Sequence, residues 1–248
     1  MIVQGLWVGR ALSTMERLSI SSFLANGHEY HLYVYNDVSG IPEGTTILDA
    51  SSIVSEKRIG NFSWLAEFSD LFRYQLLLEK GGIYADLDVI CLRPFQIRAE
   101  YLYPRTDHVR MLGRDEPESG IAIDGWFLKA PSGSPLMRIC LERALEGEGK
   151  KNPWGLIGPE NLCNVATELG LLRYASHWKF FPINWKRYKD FTEATPESEA
   201  IYSRFGHTAL VVHLYREMWV RNGLDPDSTF DRSSIYERLK ARYLADHR

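Results

Sequence analysis

The sequence predicts an α/β fold arranged as a single domain, and three observations predict it. Short apolar runs alternate with amphipathic stretches of helical length, the order that βα units produce. The composition is 45% hydrophobic and 25% charged over 248 residues, as in an ordinary globular chain. Aromatic residues are plentiful (7 Trp, 13 Tyr, 11 Phe), so a large core can be built within one unit.

The elements follow in order. Ile2 to Val8 is expected to be the first strand, and Thr14 to Asn26 a helix stopped by Gly27. Glu29 to Tyr35 is the second strand, with Tyr30, Leu32 and Val34 alternating against His31, Tyr33 and Tyr35. Ser39 to Gly44 holds Gly, Pro and Gly and reads as a turn. Thr46 to Asp49 makes a short strand, and Ser63 to Lys80 a helix ended by Gly81-Gly82, where glycine tolerates the positive φ of a tight reversal. One strand is then expected from Ile83 to Leu92, stopped by Arg93-Pro94. Further strands are expected at Arg110–Leu112, Asp124–Lys129 and Ala209–Tyr215, and helices at Pro135–Glu146, Pro159–Leu169 and Ser233–Ala245. Arg187 to His207 is polar and irregular, and reads as a mobile loop over a site.

Charge and cysteine content narrow the function. With 29 basic against 32 acidic residues the net charge is −3, which argues against a nucleic-acid binder, since that needs a basic surface. Cys91, Cys140 and Cys163 match neither a disulfide framework nor zinc spacing. Their apolar flanks read as buried thiols, and a reducing, cytoplasmic setting is expected. No apolar run is long enough for a signal peptide or a membrane span.

The chemistry concentrates in Ser69 to Pro94, SDLFRYQLLLEKGGIYADLDVICLRP. Asp70 and Arg73 are three apart on a helix, the spacing of an ion pair. In the strand after the glycines, Tyr84, Asp86 and Asp88 share one face, opposite Ile83, Ala85, Leu87 and Val89. Two carboxylates at that spacing can meet one hard divalent cation that also holds a diphosphate. Thirteen aspartates give roughly 0.7 Asp-x-Asp triplets by chance, so the bare triplet is weak. A second triplet, Asp225-Pro226-Asp227, lies in a polar turn-rich stretch and reads as a solvated decoy. Charges in an otherwise apolar strand are costly without a partner, which sets Asp86 and Asp88 apart. His213 follows the apolar run Ala209–Val212, and is either a strand-end ligand or a buried structural histidine.

The run SDLFRYQLLLEKGGIYADLDV resembles the sugar-binding, Asp-x-Asp region of glycosyltransferase family 32 and the catalytic core of the large clostridial glucosylating toxins. Leu6–Gly9, Ser22–Tyr35, Asp124–Pro135, Gly158-Pro159 and His213–Trp219 are similar to earlier and later segments of these enzymes. The resemblance implies a GT-A fold, a nucleotide-binding, Rossmann-like mixed sheet flanked by helices. Residues 1–95 would be its nucleotide-sugar-binding half, 96–225 its acceptor-side half and 226–248 a C-terminal helical tail.

It also implies a metal-dependent, retaining transfer of a hexose from a nucleotide-sugar, UDP-hexose above all, with manganese or magnesium. Catalytic roles would fall to Asp86, Asp88, Asp70 and Asp124. Trp7 would stack on the base, with Val8 close by; Asp70 and Arg73 would hold donor hydroxyls, and Tyr84 would pack beside the donor. Asp86 would contact ribose, sugar or metal. Asp88 would ligate the metal, with His213 as a further ligand, and the Trp219 indole would donate to the β-phosphate. The family often has Asn where this chain has Asp124, and Glu160 is either a residue that positions the acceptor or an acid in the first turn of a helix.

The expected acceptor is a saccharide or glycolipid in bacterial surface-polysaccharide synthesis, met by Arg187–His207 and Arg114–Gly120. The basic and apolar residues of Arg232–Arg248 could rest on the inner face of an anionic membrane. The competing reading is a non-catalytic nucleotide-sugar or carbohydrate-binding module. Such a module need not keep both carboxylates, the Asp70/Arg73 pair and a terminal histidine together.

Overall fold

Residues 1–106, 122–176, 179–180, 183–205, 207 and 209–244 are described by a computed structural model. The strand expected at Arg110–Leu112 and the Arg114–Gly120 segment lie outside them. In chain order the strands are β1 (Ile2–Trp7), β2 (Glu29–Val34), β3 (Thr46–Asp49), β4 (Gly82–Ala85), β5 (Val89–Cys91), β6 (Tyr103–Thr106), β7 (Ala122–Ile123), β8 (Phe127–Ala130), β9 (Ala175–Ser176) and β10 (Val211–His213). The helices are α1 (Thr14–Ala25), α2 (Leu65–Lys80), α3 (Pro135–Gly147), α4 (Asn161–Glu168), α5 (Pro196–Tyr202), α6 (Arg216–Arg221) and α7 (Ile235–Tyr243).

The fold is α/β, with a central mixed sheet of order β3-β2-β1-β4-β8 flanked by helices. Its first four strands run parallel and β8 runs antiparallel to β4. The chain winds outward from β1 through β2 to β3, then returns to place β4 on the other side of β1. That reversal leaves a crevice at the carboxyl ends of β1 and β4, where open α/β sheets bind ligands. Two small sheets, β10-β5 and β7-β6-β9, flank it.

Packing, more than capping, holds α2 in place. Trp64 supplies no side-chain cap at its start, a loss of about 1 kcal/mol. Against that, Phe68, Leu71, Phe72, Leu76 and Leu77 are fully buried, each worth about 1.5–3 kcal/mol. They share a cluster with Leu136, Met137 and Cys140 of α3. The helix ends at Gly81, φ +65°, where an added Cβ would lie 2.4 Å from the Ser132 nitrogen. A second cluster joins Val3, Leu32, Ile83 and Phe127 of the sheet to Ile20 and Phe23 of α1.

Several expected elements change. The single strand from Ile83 to Leu92 is instead two strands in different sheets, β4 and β5, separated by a turn at Asp86–Asp88. The Val89 amide donates to the Asp86 carbonyl at 3.1 Å across that turn. Two carboxylates two residues apart cannot both be buried in a ladder, so the chain bends and presents them at the strand end.

The polar stretch Arg187–His207 is not a structureless loop. It contains most of a 3₁₀ segment, Trp185–Phe191, which buries Tyr188 and Phe191, and all of α5. Thr195 and Ser198 close a capping box with Pro196 at the first helical position, a start signal written in the sequence.

The C-terminal helix is a docked element. Ile235, Tyr236, Leu239 and Tyr243, which a membrane would need, are buried in one cluster with Met15, Leu18 and Trp219. Its charged side chains are also engaged: Arg238 with Glu199 at 2.6 Å and Lys240 with Glu237 at 2.6 Å. The apolar face is therefore unavailable for membrane contact. No helix among the described residues is long and apolar enough to cross a membrane. Cys91, Cys140 and Cys163 are buried and form no disulfide.

Candidate active site

The crevice opens into a cavity of about 380 Å³. Asp70, Arg73, Asp86, Asp88, Asp124 and His213 line it together, although they come from four separate stretches of chain. These are six of the sequence-selected residues, brought to one place by α2, the β4–β5 turn, the segment before β8 and the end of β10.

Arg73 is the hinge of the acidic group. Its guanidinium lies 3.0 Å from Asp86 and 3.5 Å from Asp70, and 4.8 Å from the centre of the Tyr84 ring. Burial works against its charge, but the two carboxylates outweigh it and raise its pKa. Burial pushes the Asp70 carboxyl up to about 7 against the pull of Arg73, and it raises Asp86 likewise. Two glycines make room for this group: a Cβ on Gly125 would fall 2.8 Å from Arg73 Nη1, and one on Gly158 would fall 2.2 Å from Asp70 Oδ2. The Tyr74 hydroxyl holds the Gly158 loop by donating to the carbonyls of Gly158 at 3.0 Å and Ile157 at 3.2 Å.

Asp88 is bound from the other side. Its Oδ2 lies 3.1 Å from His213 Nε2 and accepts the Arg216 backbone N–H at 2.9 Å. Its own carbonyl accepts from Leu214 at 2.9 Å. Burial opposes the charged form of both partners. The ion pair outweighs it, lowering the Asp88 pKa and raising that of His213. The imidazole stacks on Trp126 at 4.8 Å and packs on Tyr215 at 4.2 Å. Tyr215 has φ +58°, the only non-glycine residue with positive φ among the described residues. Such a conformation is retained where surrounding contacts enforce it. Here the Tyr215 hydroxyl is tied to the Ile183 carbonyl at 2.7 Å.

Could this site take a divalent cation? No group of three or more His, Cys, Asp or Glu side chains is arranged to hold one among the described residues. Asp88 Oδ1 is nonetheless buried without a hydrogen-bond partner, which is costly for an anionic oxygen unless a positive charge meets it. Asp86 stands two residues away on the same turn, so the hard oxygen donors fit such a cation. His213 is engaged with Asp88, the orienting partner of the carboxylate, instead of standing apart as a third ligand.

The remaining sequence-selected residues fall outside the cavity lining. Trp219 is fully buried, packs on Tyr236 at 4.9 Å, and gives its indole N–H to the Leu214 carbonyl at 2.8 Å. With that donor used inside the core, it cannot serve a phosphate in this arrangement. Tyr84 is buried beneath Arg73, a support for the guanidinium. Trp7 is partly buried at the end of β1, with the Arg216 guanidinium 5.7 Å from its ring centre. Val8 packs against the main core cluster. Within the cavity, Asp124 accepts the Gly125 amide at 2.7 Å. Glu160 sits at the start of α4, where its backbone N–H donates to the Gly155 carbonyl at 3.1 Å.

Sequence reasoning missed Trp126, Tyr215 and Arg216. The backbone N–H of Arg216 matters through its position, and no residue type signals that. The second triplet is structural, since Asp227 accepts from the Thr14 backbone at 2.6 Å and from its hydroxyl at 2.7 Å, at the start of α1.

Residues 13–104 match the family described as "Glycosyltransferase sugar-binding region containing DXD motif", and the Asp86-Leu87-Asp88 turn lies in that span. No curated protein matches the chain. Solved structures are similar at low identity, among them three transferases. The PaToxG glycosyltransferase is 14% identical, with 99% of this chain and 85% of that one covered and a TM-score of 0.49. A transferase carrying two Cys-to-Ser substitutions is 13% identical, with 78% and 91% covered and a TM-score of 0.43. The apo-form glycosyltransferase GlyE of Streptococcus pneumoniae is 13% identical, with 91% and 60% covered and a TM-score of 0.47.

Proposed function

We propose that this chain, which carries the DXD-containing sugar-binding region of a glycosyltransferase, is a metal-dependent retaining hexosyltransferase. Its donor is a nucleotide-sugar, UDP-hexose first, and its acceptor a saccharide or glycolipid, in the setting of bacterial surface-polysaccharide synthesis. One observation carries the reading: Asp70, Arg73, Asp86, Asp88 and Asp124 meet His213 in a single cavity at the carboxyl ends of β1 and β4.

In the transfer, an acceptor hydroxyl oxygen bonds to the anomeric carbon as the bond from that carbon to the diphosphate oxygen breaks. The diphosphate leaves with the electron pair and takes the hydroxyl proton. Positive charge develops at the anomeric carbon and negative charge at the leaving group. Asp70 and Asp124 stabilise the first, from fixed positions that need no reorganisation. Arg73 holds Asp70 and Asp86 in register and orients donor hydroxyls. A divalent ion, manganese or magnesium, held by Asp88 and Asp86, would neutralise the diphosphate as a Lewis acid. His213 and the Arg216 N–H keep the Asp88 carboxylate ionised and aimed. Trp7, near the end of β1, is the proposed base-stacking platform.

The test is titration with UDP-glucose, UDP-galactose and GDP-mannose, with and without manganese, followed for hydrolysis and transfer. Asp88→Asn is expected to abolish turnover, a loss of at least 100-fold, with the fold intact by circular dichroism. Near wild-type turnover of that variant with manganese present sinks the metal-site assignment.

A further inference from the structure

The donor chemistry leaves two indoles of the cavity unused. Trp154 lines it with 44% of its surface exposed, and Trp185 lines it from a separate segment, partly exposed. Neither comes from a slack loop. Ahead of Trp154, Gly149 donates to the Asn61 carbonyl at 2.9 Å, and the Asn152 side chain to the Gly147 carbonyl at 2.9 Å. Behind it, Gly155 takes φ +83° and its carbonyl receives Glu160 at 3.1 Å. Around Trp185, the Asn184 side chain accepts from Lys186 at 3.0 Å, and the Ile183 carbonyl is held by Tyr215. Backbone fixed this firmly displays the Trp154 ring to solvent at the rim of a charged pocket, and the Trp185 ring in part, with the Lys186 ammonium 5.5 Å from its centre. Exposed indoles beside convergent polar groups mark a recognition surface.

The chemistry of the cavity selects the occupant. A pyranose has an apolar C–H face that stacks on an indole and a rim of hydroxyls that needs carboxylates and guanidinium groups. The cavity offers both together: Trp154 and Trp185 for the face, and the Glu217–Arg221 ion pair, 2.6 Å apart, for the rim. A lipid chain would take that pair out of water and offer it no hydrogen bonds. We propose that Trp154 and Trp185 form an acceptor subsite that stacks a pyranose ring and presents its hydroxyl to the anomeric carbon. This rests on the transferase reading above, and deepens it by naming the residues that grip the acceptor sugar.

None of the described residues from 187 to 207, the stretch expected from its polarity to meet the acceptor, lines the cavity. The acceptor grip falls instead to Trp185, ahead of that stretch, and to Trp154 in the α3–α4 connection.

The experiment uses the full chain with manganese and each of the three donors named above. Donor hydrolysis and transfer are measured against methyl and p-nitrophenyl pyranosides of glucose, galactose, mannose and N-acetylglucosamine. At least one pyranoside is expected to accept sugar from the wild type. Trp154→Ala and Trp185→Ala should each raise the acceptor KM at least tenfold more than they raise the donor KM, and shift product toward hydrolysis. Trp154→Phe, which keeps an aromatic face, should recover most of the loss. Transfer to no pyranoside while donor is hydrolysed overturns the subsite, as do variants whose acceptor and donor constants move in parallel. A wild type that neither binds nor turns over any donor would instead overturn the transferase reading beneath it.

Discussion

A methyl group on Gly158 would lie 2.2 Å from Oδ2 of Asp70, so the loop before α4 can approach that carboxylate only as glycine. Gly158→Ala must displace either the loop or Asp70, an overpacking cost of about 1–3 kcal/mol. Turnover is expected to fall at least tenfold at temperatures where the variant is folded. In a double-mutant cycle, Asp70→Ala should relieve most of the stability loss, because it removes the atom that collides. Additive losses in denaturant unfolding would show that the clash lies elsewhere.

Arg73 neutralises two acidic groups at once. Arg73→Met should destabilise the chain by about 3–5 kcal/mol, the range for leaving buried charge without its partner. Arg73→Lys is expected to recover only part of this, since a single ammonium cannot replace a planar fork between Asp86 and Asp70. Urea unfolding of both variants checks the order. A loss below about 1 kcal/mol for Arg73→Met would mean that the carboxylates find other partners.

The Asp70 carboxyl, raised by burial from an ordinary 3.8 to about 7, fixes the sign of a pH effect. Between these values the folded chain keeps a proton that the unfolded chain has released. The stabilising contribution is therefore complete below about pH 4, and it is lost as pH rises through about 7. Asp70→Asn removes the linkage, so the variant should gain on the wild type between pH 4 and pH 7. Urea midpoints measured across that range test it. Parallel curves for the two proteins would contradict the burial-driven shift.

Asp227 receives the backbone and hydroxyl of Thr14, which hold its pKa low. Asp227→Ala should cost about 0.5–1.5 kcal/mol, the usual net value of an intramolecular hydrogen bond, and leave turnover intact. The stabilisation from these bonds is present above the ordinary carboxylate value and is lost as pH falls through the lowered one. Thermal melts and donor hydrolysis decide it. Lost turnover with an unaltered melt would instead assign the second triplet a part in catalysis.

Much of the site is legible in the sequence because its chemistry is local in the chain. Asp70 and Arg73 are one helical turn apart, the Gly81-Gly82 reversal follows, and Asp86 and Asp88 come next. Spacing, glycine conformation and the cost of charge in an apolar run are all sequence-level facts. Trp219 misleads for a related reason. An indole near the motif's end reads as a ligand donor, and nothing in the sequence shows that its N–H closes on Leu214 five residues earlier. The capping box at Thr195 is a local signal as well, but the polarity around it points to a loop.

By itself, then, the sequence determined an α/β order of elements, the helix–turn–strand frame around Asp86 and Asp88, and the burial of the cysteines. Periodicity and local propensity act over a few residues and leave a trace in the string. Tertiary structure alone decided that the Asp-x-Asp strand breaks into two sheets, and that Asp88 meets His213 and the Arg216 N–H from 125 and 128 residues away. It also decided that Trp154 and Trp185 share one cavity. These relationships follow from where β4 inserts beside β1 and where β10 pairs with β5, and such long-range pairing is set by the packing of the whole chain.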